Sequence, residues 1–284
     1  RLDGKICMIT GSTSGIGRET AIDLARRGAT VILVGRNPQK TSATVDYIKS
    51  ETGNETIYSY LCDLSSQSSI HQFVKEIKDE FHKLHVLVNN AGAIFLSRQM
   101  SVDNIEMTFA LNHLSYFMLS NLLLEIMEST ESARIINVSS VAHASAKFTL
   151  SDIQTDHRYM FGFKAYCRSK LANLLFTYEL ARRLKKTHIT VNALHPGVVS
   201  TNLLANNGVM GQIGNFFLGL RGITPKKGAE TTIYLATSRK VEGLTGRYYV
   251  GCEEAPSSPA SYDQEAGTKL WNVSKHLTGL IDAI

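Results

Sequence analysis

Short apolar runs alternate with amphipathic stretches along the first two-thirds of the chain. The runs Lys5–Thr10, Val31–Val34, Ile57–Leu61, Val86–Val88, Ile135–Val138 and Thr190–Leu194 have the length and apolar continuity of buried parallel strands. Between them, apolar residues recur at helical spacing. The clearest set is Ile70, Phe73, Val74, Ile77 and Phe81, on one helical face behind a capping Ser65 or Ser66. A helix near 227–237 and a seventh strand at Arg247–Val250 continue the series. Strands alternating with helices predict an α/β fold with a parallel sheet of about seven strands and helices on both faces. Right-handed crossovers make it doubly wound. With no repeat or linker in sight, residues 1–284 read as a single domain.

Two segments break the pattern, 144–163 and 201–224. The second is rich in Gly and Asn and carries Phe216, Phe217, Leu218 and Leu220. Both follow predicted strands on the side where open α/β sheets bind ligands, so binding loops are expected there, with 201–224 a substrate loop or lid.

Composition narrows the function classes. Of 284 residues, 43% are hydrophobic and 19% charged, as in an ordinary globular domain with one large core. The net charge of +5 is spread along the chain, so no nucleic-acid partner is expected. Four cysteines form no C-x-x-C pair and no zinc-type spacing with histidine, so no metal is expected. Cys7 and Cys62 read as small core residues. No run of about 18 apolar residues exists to span a bilayer. The expected location is the cytoplasm or an intracellular membrane surface. The chain starts at Arg1 rather than Met, which leaves an upstream anchor open.

The first strand runs into Gly11-Ser12-Thr13-Ser14-Gly15-Ile16-Gly17 and then a helix. Gly11 permits a tight turn, Gly15 the approach of a pyrophosphate, and Gly17 close helix–strand packing. The helix N-terminus adds free N–H groups and partial positive charge. A Rossmann-type dinucleotide site is expected, although the spacing is G-x-x-x-G-x-G rather than G-x-G-x-x-G. At the end of the second strand, an acidic residue would accept hydrogen bonds from the ribose 2′-OH of NAD. Arg36 stands there instead, a partner for a 2′-phosphate, so NADP(H) is favoured. Arg18 is a weaker second candidate.

Four further features follow in order: Asn89-Asn90-Ala91-Gly92, Asn112, Ser139-Ser140, and Tyr166-Cys-Arg-Ser-Lys170. Taken singly each is bland, since Tyr166 could be a core aromatic, Asn112 a turn former and Ser140 a helix cap. As an ordered set behind the glycine loop they resemble the short-chain dehydrogenases/reductases. The resemblance implies catalytic roles for Tyr166, Lys170, Ser140 and Asn112, with Ser139 an alternative to Ser140. It implies that Asp63 and Leu64 flank the adenine. It places Asn89, Ala91 and Gly92 beside its ribose, and Pro196, Gly197, Val199 and Thr201 at the nicotinamide. His195 reads as a packing residue.

Elementary chemistry agrees with these roles. Tyr166 and Lys170 are four apart and share a helix face. A phenol with a pKa of about 10 is only roughly 0.1% ionised at neutral pH. A nearby ammonium is expected to lower that pKa and make Tyr166 a general acid or base. By resemblance, Lys170 binds the nicotinamide ribose and Asn112 fixes a water that relays protons to it.

Asn112-His113-Leu114, Val138–His143, Ala165–Asn173, His195–Val199 and the tail near Trp271 resemble the NADP-preferring, membrane-associated retinol dehydrogenases. That branch implies a small hydrophobic carbonyl or alcohol such as retinal/retinol and peripheral membrane contact near Phe216–Leu220, and the wider family resemblance implies a homodimer through the Tyr-bearing helix and its neighbour. Two alternatives stay open: a broad-specificity aldehyde/ketone reductase, and an NADPH-binding sensor on a retired reductase fold. Turnover on a carbonyl panel separates the last from the others.

Overall fold

Met8, Ile32, Leu87 and Ile135 pack on one face of the central sheet. Cys7, Ile9, Val31, Leu33, Val88 and Ile136 pack on the other. Adjacent strand residues point to opposite faces, so strands apolar at every position need helices on both sides. The structure, a computed structural model, describes residues 1–147, 149–155, 159–199, 203–208 and 222–280.

The strands are β1 (Ile6–Thr10), β2 (Thr30–Gly35), β3 (Ile57–Leu61), β4 (Val86–Asn89), β5 (Ala133–Val138), β6 (Ile189–His195), β7 (Arg247–Val250) and β8 (Glu253–Glu254). Their order is β3-β2-β1-β4-β5-β6-β7-β8, parallel through β7. The expected seven strands are there, and β8 adds an eighth, antiparallel to β7. The pattern missed it because β8 is two exposed residues after a tight turn. Gly251 and Cys252 both have positive φ, 60° and 67°, as a two-residue hairpin turn demands.

Helices α1 (Gly15–Arg26), α2 (Pro38–Thr52) and α7 (Pro225–Thr237) cover one face. Helices α3 (Gln67–Glu80), α4 (Ser115–Leu122), α5 (Leu124–Glu128), α6 (Phe163–Arg183) and α8 (Gln264–Thr278) cover the other. Ser66, not Ser65, caps α3 by accepting from the Ser69 N–H. Phe81 terminates α3 yet stays buried with Ile70, Phe73, Val74 and Ile77. Cys7 and Cys62 are buried among apolar side chains, as their strand-like surroundings predict. Trp271 of α8 stacks on Phe176 of α6, ring centroids 5.9 Å apart, and meets Phe117 of α4 edge-on.

The strand order reverses between β1 and β4, which opens a crevice at the C-terminal ends of the strands. Among the described residues no helix is long and apolar enough to cross a membrane. The Phe216–Leu220 stretch and Thr201 lie outside the described residues.

Candidate active site

A cleft of about 540 Å³ follows that crevice from the glycine loop to the Tyr166 hydroxyl. At one end, β1 passes into α1. Gly11 turns at φ 64°, and its backbone approaches β4 so closely that a β-carbon would sit 2.9 Å from Ala91 Cα. A β-carbon on Gly17 would strike the Gly11 carbonyl oxygen and lie 2.7 Å from Asn90 Nδ2. Helix α1 begins at Gly15 with no side-chain cap and no acidic residue in its first turn. Its first N–H groups and partial positive charge are therefore open to an anion in the cleft.

Gly11, Ser14, Gly15 and Ile16 line this end. Ser12 and Gly17 do not: Ser12 is buried and donates to the Val34 carbonyl at 3.4 Å, and Gly17 faces Gly11. Arg36, just beyond β2, lines the cleft and donates from Nη2 to Asn206 Oδ1 at 3.0 Å. Arg18 is turned away, its guanidinium over the Tyr47 ring. Asp63 and Leu64 form the neighbouring wall, with Asp63 accepting from the Ser65 amide and hydroxyl.

Asn89 belongs to the sheet rather than the cleft wall. It is buried and donates to Ser120 Oγ at 3.1 Å and Asn137 Oδ1 at 2.9 Å. Asn90, which sequence reasoning passed over, lines the cleft beside Ala91 and Gly92. Its amide braces the glycine loop by donating to the Thr10 carbonyl at 2.8 Å. The strand alternation held the signal, since two successive asparagines point to opposite faces.

At the far end stand Ser140, Tyr166 and Lys170. Gly162 caps α6 in the left-handed conformation, so the helix starts at Phe163 and Tyr166 lies in its first turn, not at its first residue. Lys170, one turn on, is buried and donates from Nζ to the Val138 carbonyl at 2.9 Å. Its Nζ lies 5.7 Å from the centre of the Tyr166 ring and 5.8 Å from that of Tyr116. Burial lowers the Lys170 pKa to about 7. Burial also pushes the Tyr166 phenol up to about 12, against the opposing pull of a hydrogen bond with Ser140. The lowering expected from the ammonium does not govern this phenol. Desolvation governs it instead, and the same burial favours the neutral amine at Lys170.

Ser140 also caps a short 3-10 turn, Val141–Ser145, its Oγ accepting from the Ala142 N–H at 3.2 Å. The cap and the contact with Tyr166 are thus one feature. Ser139 is buried and donates to the Lys170 carbonyl at 2.9 Å. Asn112 sits in a π-helical turn, Ala110–Leu114, one layer behind the cleft. Its amide is taken by the Ala93 N–H and carbonyl, at 2.9 and 3.0 Å, and by Ser169 Oγ. Gly92 bridges the layers: a β-carbon there would lie 3.2 Å from Asn112 Oδ1 and 3.6 Å from Lys170 Nζ. Pro196, Gly197 and Val199 line the cleft beyond β6. His195 is buried and accepts from the Val141 N–H at 3.3 Å, and burial lowers its pKa to about 4.

The cleft fits a dinucleotide. It has a cap-free helix end behind glycines, bare of side chains at the closest backbone approach, and a buried amine and phenol opposite.

The family model described as short chain dehydrogenase matches residues 5–210. Human retinol dehydrogenase 12 is 39% identical over 280 residues, spanning 99% of this chain and 88% of that protein. Human retinol dehydrogenase 13 is 38% identical, spanning 98% and 86%. Among solved structures, a protein described as uncharacterized from Mycobacterium paratuberculosis superimposes with a TM-score of 0.79 at 30% identity, over 98% of this chain and 94% of that one. The chain belongs to the short-chain dehydrogenase/reductase family of oxidoreductases, on the side of the retinol dehydrogenases.

Proposed function

We propose that this oxidoreductase is NADP(H)-dependent and interconverts a hydrophobic aldehyde, such as retinal, with its alcohol. The observation that carries this is one cleft that holds Ser140, Tyr166 and Lys170 at one end and Arg36 at the other, with Lys170 Nζ beside the Tyr166 ring. The nicotinamide, when bound, supplies or takes up the hydride.

The chain's own residues handle the proton and the orientation. Burial keeps Tyr166 in its phenol form, ready to donate to a carbonyl oxygen during reduction. Ser140 holds that oxygen beside the phenol. Lys170 contributes a hydrogen-bond donor at the ribose end, and Asn112 fixes the backbone behind it. Arg36 would trade its Asn206 contact for a 2′-phosphate, which a guanidinium binds through two parallel hydrogen bonds.

The substrate end is apolar, lined by Phe95, Met107, Leu111, Val141, Phe163 and Leu203. This lining and the likeness to retinol dehydrogenases support a lipid-like carbonyl over a small polar one.

The test is NADPH consumption across retinoid, steroid and alkyl carbonyls. Turnover should be greatest on retinal or a medium-chain aldehyde. Tyr166→Phe should keep NADPH binding by fluorescence and lose most turnover. NADPH binding with no turnover on any carbonyl would favour the sensor reading instead.

A further inference from the structure

His143 is a buried imidazole that the proposed chemistry does not use. Its Nε2 accepts a hydrogen bond from the main-chain N–H of Ser258 at 2.9 Å, a partner 115 residues away. A nitrogen that accepts an N–H carries no proton, so the neutral ring bears its proton on Nδ1. Nδ1 lies 2.6 Å from the carbonyl oxygen of Ser140. That carbonyl also accepts from the His143 N–H at 3.1 Å. The ring meets Tyr248 in a T-shaped contact, centroids 5.4 Å apart. On the other side of the turn His195 accepts from the Val141 N–H. The Ser140 hydroxyl itself accepts from Ala142, which leaves its own proton for Tyr166.

We infer that His143 is a positioning residue: its Nδ1–H, in a tautomer selected by the Ser258 amide, clamps the Ser140 carbonyl and so aims the Ser140 hydroxyl at Tyr166. This rests on the role proposed above for Ser140. It makes the segment after β8 part of the active-site support, because Ser258 selects the tautomer. Burial of the ring lowers its pKa and keeps this neutral form in place.

Two near-isosteric variants separate positioning from packing. His143→Asn keeps a donor near the place of Nδ1 and loses the acceptor for Ser258. His143→Gln keeps an acceptor near the place of Nε2 and loses the donor to Ser140. The Asn variant should retain most of kcat. The Gln variant should lose kcat by on the order of 100-fold with KM and NADPH binding little changed, as for a reacting group misplaced by about 1 Å. Full activity in His143→Gln, or equal losses in both variants, would overturn the inference. Ser140→Ala serves as the reference. If it turns over normally, the role of Ser140 falls and this inference with it; if it is inactive while His143→Gln is fully active, only the role of His143 falls. Nitrogen-15 NMR of the imidazole reads the wild-type chain directly. A proton on Nδ1 is expected, and a proton on Nε2 would refute the clamp whatever the variants do.

Discussion

Lys170 Nζ donates to the Val138 carbonyl at 2.9 Å, which ties the Tyr-bearing helix to the last residue of the central strand β5. The amine therefore enters the cleft from a fully buried root. Below about pH 7 the lysine is charged in folded and unfolded chains alike, and the whole cost of burying that charge weighs on the fold. Between about 7 and 10.5 the folded chain sheds the proton first, so this group's contribution to stability improves as pH rises. Lys170→Met should accordingly be more stable than wild type at pH 6 by about 0.5–2 kcal/mol, while turnover is lost. The gap should narrow through the alkaline range. Calorimetric melting at several pH values checks this, and a Met variant that melts lower at pH 6 would contradict it.

Tyr166 shifts in the opposite direction. An acid whose neutral form is favoured by burial stays protonated past its ordinary value, here to about 12. In the cofactor-free protein, Tyr166 should contribute no tyrosinate at pH 10. An ultraviolet titration of wild type minus Tyr166→Phe reads this residue alone. Ionisation near pH 8 in that difference would mean that the Lys170 ammonium, not burial, controls the phenol.

Arg36→Asp replaces a phosphate partner with an acceptor for ribose hydroxyls. Loss of a charge-assisted hydrogen bond of about 1.5–3 kcal/mol should swing the NADPH/NADH ratio of kcat/KM by roughly 10- to 100-fold. Steady-state kinetics with both cofactors decide the matter. An unmoved ratio removes Arg36 as the reader of the 2′-phosphate.

Gly17 and Gly92 answer differently to a single methyl group. A β-carbon on Gly17 collides with backbone, the Gly11 carbonyl, which cannot swing aside. Gly17→Ala should cost about 1–3 kcal/mol of stability and weaken NADPH binding. On Gly92 the nearest atom is Asn112 Oδ1 at 3.2 Å, a side-chain atom that can give slightly. Gly92→Ala should leave the melting temperature within a few degrees and lower kcat instead. Equal thermal shifts in the two variants would refute the distinction.

Much of the site was legible because its signals are local. Tyr166 and Lys170 share a helix face through the turn of the helix alone, and the loop Gly11–Gly17 is set by a strand meeting a helix. Arg36 was legible as the residue after a strand end. Asn89 and Ser12 were misplaced for one shared reason. Both are polar residues in a motif, yet each faces inward, onto Asn137 and Ser120 or onto the Val34 carbonyl. Asn112 is placed by tertiary contacts alone, its amide hydrogen-bonded to Ala93 and Ser169 one layer behind the cleft.

The alternation of apolar runs and amphipathic stretches determined the doubly wound sheet, its crevice and the order of the motifs, because periodicity reports which residues must be covered. It could not determine which of two neighbours faces the cleft. Successive residues in extended backbone diverge by half a turn, so Asn89 and Asn90 part company; Ser139 and Ser140 both border the cleft, but the Ser139 hydroxyl is spent on the Lys170 carbonyl. Which one turns toward Tyr166 depends on how β5 sits between β4 and β6. Burial was also a tertiary decision. The layers over α6 and β5 raise the pKa of Tyr166 and lower that of Lys170, whereas spacing alone predicted only their attraction. The contact from His143 to Ser258 crosses 115 residues and arises only when β7 and the segment after it fold back over the turn that bears Ser140.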